Sequence, residues 1–319
     1  MSESAFISAL RALAHSPAAR ELLDDAAVLD LGDRRLVLTH DMIVEGVHFL
    51  SGDDPADVAW KLVAVNLSDL AAKGARPLGA LLGYTLSDEA WNVAFVQGLD
   101  RVLRTFELPL IGGDTVSAPP GSPRSLGLTA IGEAGTRVPA RSGAAAGDLL
   151  WVSGSIGDPG AGLRIALGQC AGPESLLERY RRPQPRLELG RQLAATVSAM
   201  MDVSDGLLID ASRMAGASRL GCEIELRDIP LSRPLVEMLG DERRTRIDAA
   251  IAGDDYELLF AAPADRSGDI RRIEQELALP LTPVGRFVAG SELRLLEGGR
   301  AMPLPARLGY EHEGASQHG

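Results

Sequence analysis

The sequence predicts two α+β domains, on three observations. The chain has 319 residues, enough for two medium domains. Strand-like and helix-like stretches interleave in each half without the even alternation of a doubly wound sheet. A small-residue junction, "RSGAAAGD", separates the halves, so the domains are drawn as 1–140 and 141–319.

In chain order, residues 1–23 read as a helical lead-in broken at Ser16-Pro17, and "LVLT" (Leu36–Thr39) as a strand running into Asp41. A helix starts after Asp54, which supplies the N-cap, with Pro55 at the first helical position and Asp57 in the first turn; Gly74 is its stop. "LGALLGYTL" reads as a buried strand, "DEAWNVAFVQGLDRVLRTF" as an amphipathic helix, "LPLIGGDT" as a strand with a glycine-rich exit and "SLGLTAIGEA" as another strand. The second half opens with "LLWVSGSIGDPGAGL", a strand, glycine-rich loop and helix start, and "MDVSDGLLIDASRMAGAS" repeats that order. "AAIAGDDYELLFAA" reads as strand, turn, strand, and the tail beyond about residue 311 as disordered.

A net charge of −12 argues against non-specific binding to nucleic acid or anionic membranes. No run of about 18 apolar residues and no leader peptide is visible, so a cytoplasmic protein is expected. Cys170 and Cys222 fit neither a disulfide framework nor a zinc pattern. Lysine stands only at positions 61 and 73. There is no GxxxxGK[ST] loop and no Ser-His-Asp or Cys-His order.

The chemical signal is the placement of aspartate. Asp24-Asp25, Asp41, Asp69, Asp114, Asp202, Asp205 and Asp254-Asp255 mostly lie where an apolar element meets a turn, often beside glycine. Each alone reads as a cap or turn former. Together they suit several Mg2+ ions on a polyphosphate, since Mg2+ takes carboxylate oxygens and substrate phosphates. On the helix "AVNLSDLAAKG", Asn66, Asp69 and Lys73 share one face among Val63, Leu67 and Leu70. That face is either a solvated stripe or a buried set whose cost a bound metal offsets.

"DDAAVL", "LTHDMIVEGVHF", "KLVAVNLSDLAAKGARP", "LIGGDT", "ARSGAAAGD", "DVSDGLLID" and "GDDYELLF" occur in the order found in thiamine-monophosphate kinases, which the chain resembles over roughly residues 20 to 290. The resemblance implies the two-domain fold of aminoimidazole ribonucleotide synthetase, selenophosphate synthetase and HypE, with the N-terminal domain pairing its sheet in a homodimer. It implies ATP-dependent phosphorylation of thiamine phosphate to thiamine diphosphate. Carried over by motif, Asp25, Thr39, His40, Asp41, Asp69, Asp114, Asp202 and Asp205 would surround several Mg2+ ions. Gly113, Asp114, Arg141 and Ser204 would meet ATP, and His48, Asp254 and Tyr310 the thiamine phosphate. Four departures stand out: "ELLDD" replaces the usual "GIGDD", His40 a common Thr, Asp254 the usual Glu, and Tyr310 is the only aromatic where Trp is common. A related ATP-dependent synthetase and a non-catalytic binding relative are the competing readings.

Overall fold

The computed structural model describes residues 3–311; the predicted disordered tail beyond 311 lies outside them. The first half comprises α1 (Glu3–Arg11), β1 (Ala27–Asp30), β2 (Arg35–Val44), α2 (Pro55–Ala72), β3 (Arg76–Leu86), α3 (Glu89–Thr105), β4 (Leu110–Ser117) and β5 (Ser125–Ala134). The second comprises β6 (Leu149–Ser153), α4 (Asp158–Ala166), α5 (Glu174–Arg181), α6 (Leu187–Leu193), β7 (Ala199–Val203), α7 (Leu207–Ala217), β8 (Gly221–Glu225), α8 (Arg233–Leu239) and α9 (Arg243–Ala250). It ends with β9 (Glu257–Ala262), α10 (Ser267–Leu277), β10 (Leu281–Val288), β11 (Leu293–Glu297) and β12 (Arg300–Met302). Five strands form one sheet in the order β1-β2-β5-β3-β4, and seven form another in the order β12-β11-β8-β10-β6-β9-β7. Both are mainly antiparallel; β3 with β4 and β8 with β11 are the parallel pairs.

The first sheet carries α2 and α3 on one face. α3 is capped by Asp88, whose carboxylate accepts from Trp91 N at 2.9 Å, and buries Trp91, Phe95, Leu99 and Val102 at helical spacing. Its Gly98 is required, because a Cβ there would stand 2.4 Å from Ala56 Cα of α2. The opposite face of this sheet leaves Met42 and Leu81 exposed, and the whole of β4 is exposed, including Leu110, Ile111 and Val116.

α2 starts as its sequence signals indicate, with Asp54 Oδ1 accepting from Ala56 N at 2.8 Å and Pro55 in the first turn. Lys73 closes it and Gly74 takes φ 62°. It is buried nearly all round, because it packs on β2 and β5 on one side and on α6, β7, α5 and β9 of the second half on the other. The contact with α6 leaves no room for a side chain: a Cβ on Gly190 would stand 1.9 Å from Ala71 O.

"AAIAGDDYELLFAA" differs from the predicted strand-turn-strand. Ala249 and Ala250 end helix α9, and only Glu257–Ala262 is a strand. The preceding "RRTRID" supplies a helical turn that the apolar Ala-Ala-Ile run masks.

Gly190→Ala should destabilise the protein by about 2 kcal/mol, the usual cost of overpacking a closed contact. Gly216→Ala, in α7 with nothing near its Cβ position, should stabilise it by about 0.5 kcal/mol. Urea unfolding of the two variants checks both signs.

Candidate functional site

The polar residues that interrupt α2 are buried and bonded, not a solvated stripe. Asn66 and Ser68 have no exposed surface, and Asp69 is 8% exposed. Asn66 donates to Leu62 O at 2.9 Å within the helix and accepts from Asp41 N at 2.9 Å, which ties α2 to β2. Ser68 Oγ donates to Asp202 Oδ2 at 2.5 Å, which ties α2 to β7. Thr39 Oγ1 donates to Asp69 Oδ2.

These contacts bring carboxylates from three separate elements together. Asp25, from the turn before β1, Asp69, from α2, and Asp202, from β7, each offer an oxygen within 4.8 Å of the others. Asp25 Oδ2 is buried and ion-paired to Lys73 Nζ at 2.8 Å, and Oδ1 is paired to Arg141. Burial raises the Asp69 and Asp202 carboxyls well above the usual range, and their carboxylate neighbours add to it. Burial also raises Asp41 to about 6, with Asp25 and Asp205 adding and His40 opposing. Asp25 goes the other way: burial pushes it up, but the Lys73 and Arg141 cations outweigh that and hold it at about 2.

A cleft of about 280 Å³ opens beside this cluster, lined among others by Asp41, His48, Ser204, Asp205, Asp254 and Tyr310. The Ser204–Gly206 turn is held from below by Asp210, whose Oδ2 accepts from the backbone N–H groups of Ser204, Asp205 and Gly206 at 3.1–3.2 Å. Arg213 bridges Asp205 and Asp210. Asp254 sits at φ 63°, its N–H donating to Ser204 O at 2.7 Å. Its Oδ2 accepts from Lys61 Nζ at 2.7 Å, and the same ammonium donates to His48 O at 2.8 Å over the Tyr180 ring.

The remaining expected residues lie elsewhere or face differently. The His40 imidazole is exposed and within 2.8 Å of Thr129 Oγ1, because alternation along β2 turns it away from Thr39 and Asp41. Arg141 reaches into the cluster, bonded to Asp25 by its guanidinium and to Asp24 Oδ1 by its N–H at 3.2 Å. Gly113 and Asp114 lie on the exposed edge strand β4, and the register Asp41–Leu128–Leu82–Gly113 puts three strand steps, about 14 Å, between Gly113 and Asp41. At Gly113, φ is 154° and a Cβ would stand 2.0 Å from Leu82 O. The site set carried over by motif left out Lys61 and Asp210, and gave Asp24 no role beyond its place among the aspartates. For Lys61 a signal existed: it is one of two lysines in a chain that otherwise uses arginine.

Two family descriptions match the chain: "AIR synthase related protein, N-terminal domain" over residues 23–134, and the C-terminal domain of the same proteins over residues 145–297. The thiamine-monophosphate kinase of Caulobacter vibrioides is 38% identical over 306 residues, covering 93% of this chain and 86% of the relative. That of Escherichia coli K12 is 36% identical over 299 residues, covering 91% and 90%. Among solved structures, AaThiL complexed with AMPPCP and TMP superposes with a TM-score of 0.84 at 29% identity, covering 98% of this chain and 97% of that one. The thiamine-monophosphate kinase of Stenotrophomonas maltophilia K279a superposes with a TM-score of 0.77 at 35% identity, covering 93% and 95%. Hydrogenase maturation protein HypE, at 20% identity and a TM-score of 0.70, shares the fold. With its buried carboxylate cluster, adjoining cleft and two matched domains, this chain belongs to the thiamine-monophosphate kinase family.

Proposed function

We infer that the protein transfers the γ-phosphoryl of ATP to thiamine phosphate, giving thiamine diphosphate. The observation that carries this reading is the buried cluster of Asp25, Asp69 and Asp202, next to Asp41, which with Asp254 lines the adjoining cleft. An anionic phosphate acceptor attacks without a general base, so the protein's task is positioning and charge stabilisation. Asp254 and Asp205 line the cleft as ion-paired carboxylates, Asp254 with Lys61, which also fixes the His48 carbonyl, and Asp205 with Arg213. Tyr310 and His48 line the same cleft and complete the substrate set.

Asp25, Asp69 and Asp202 offer carboxylate oxygens within 4.8 Å of one another, an all-oxygen donor set that fits Mg2+, and Asp41 adjoins it. Bound Mg2+ supplies charge neutralisation for the triphosphate and the transferring group. Arg141, Ser204 and Gly113 are the residues we assign to ATP. No helix of the described residues is long and apolar enough to cross a membrane, in keeping with a cytoplasmic enzyme. We also assign a homodimer through the uncovered face of the first sheet, where Met42, Leu81, Ile111 and Val116 are exposed. That pairing gives Gly113 and Asp114 of the edge strand a role next to a second copy.

The direct test is thiamine diphosphate formation from ATP and thiamine phosphate with and without Mg2+. Product only with another acceptor would move the reading to a related synthetase, and ligand binding without ADP release to a binding protein. Asp69→Asn should lower turnover by at least about a hundredfold, since an amide is a poor Mg2+ ligand, while circular dichroism stays unchanged.

Metal-free protein should lose stability as pH rises from about 4 to about 6. Over that window native Asp41 and Asp210, both raised to about 6, keep protons that the unfolded chain has released, each worth about 3 kcal/mol. Asp25, held at about 2, changes stability only below this window. Saturating Mg2+ should flatten the slope, read as Tm against pH. Ile111→Asp should shift the sedimentation coefficient from dimer to monomer.

A further inference from the structure

Lys73 is a lysine with no exposed surface, set at the end of the helix that also presents Asp69. Its ammonium bonds Asp24 Oδ1, lies 2.8 Å from Asp25 Oδ2 and donates to Met200 O at 3.2 Å. The other cations at this end are of a different kind. Arg20 reaches Asp24 at 2.5 Å and Arg141 reaches Asp25, each from a side chain about one-fifth exposed. Only Lys73 is sealed inside, so its charge is screened least by solvent.

Asp25 therefore faces two ways. Its Oδ2 meets the Lys73 ammonium that it shares with Asp24 and its Oδ1 meets Arg141, while the carboxylate also lies within 4.8 Å of Asp69 and Asp202. We propose that Lys73 is a charge-setting positioning residue: a resident cation that takes the Asp24 side of the carboxylate set and confines divalent ions to the Asp69–Asp202 side. The inference rests on the metal-dependent kinase reading above and deepens it. Two physical effects are combined. The ammonium on Oδ2, with Arg141 on Oδ1, pins Asp25 in one orientation beside the other carboxylates. It also repels an arriving dication across a few ångströms of low-dielectric interior, so it weakens Mg2+ binding relative to an uncompensated cluster. The result is a site that holds its shape when empty and releases its ions readily.

A purely structural Lys73 would lower stability when removed and leave ion binding alone. The charge-setting role moves ion binding in one direction. Lys73→Met removes the charge at similar volume, and Lys73→Gln keeps a hydrogen-bond donor for Asp24 should the Met variant fail to fold. The experiment titrates MgCl2, without nucleotide, into the full-length protein by isothermal calorimetry, and counts bound Mn2+ by electron paramagnetic resonance. We expect either variant to bind Mg2+ at least about tenfold more tightly than wild type, or to gain one Mn2+ per chain. We also expect a larger Mg2+-induced rise in Tm. Unchanged or weaker binding in a folded variant, beside normal binding in wild type, overturns the inference alone. Absence of Mg2+ binding by wild type overturns the metal reading and this inference with it.

Discussion

The burial of α2 between two sheets is the constraint on which the rest of the structure depends. A helix covered on both sides cannot leave any polar group to water, so Asn66, Ser68, Asp69 and Lys73 must each find partners in the layers above and below. The partners they find are the backbone of β2, Thr39, Asp202 of β7 and the Asp24-Asp25 pair. The same bonds that satisfy the helix thus fix the two sheets to each other and bring the carboxylates together. Lys61 does this at the other end, pairing with Asp254 across the cleft, and Trp60 Nε1 donates to Pro183 O at 2.8 Å between them. Stability and site geometry are set by one list of contacts.

Electrostatics shape the site in a similar way. A protein of net charge −12 gathers carboxylates around a site for an anionic ligand, an arrangement unfavourable without cations. The chain answers part of that with internal cations, Lys73, Arg141 and Arg213, each bonded to an aspartate of the cluster or its turn. Among the described residues Asp69 and Asp202 have no such partner, and their raised pKa values mark where compensation is incomplete.

Local signals in the sequence were legible where one residue decides the outcome. Asp54, Pro55 and Gly74 bound α2, and the Trp91–Phe95–Leu99–Val102 spacing marks the inner face of α3. Aspartates at strand ends pointed to the cluster because carboxylates so placed can converge. Alternation along β2 already separates His40 from Thr39 and Asp41, a signal available before any fold is known. What stayed hidden is long-range pairing. Lys61 meets Asp254 across 193 positions, and Ser68 meets Asp202 across 134, with no local pattern linking either pair. The parallel neighbouring of β8 and β11 is set by tertiary packing, and the Ala-Ala-Ile end of α9 imitates a strand because its helical partners are charged residues before it.

α2 also carries Lys61 and Asp69 on the same rigid rod, eight residues and about 12 Å apart, with Lys73 one turn further on. One inserted or deleted residue between them would rotate one end against the other by about 100° and break the phase of every contact beyond it. Loops of this fold can lengthen at little cost, but the number of residues between Lys61 and Lys73 is fixed by geometry: its reading frame in space is as strict as a codon's.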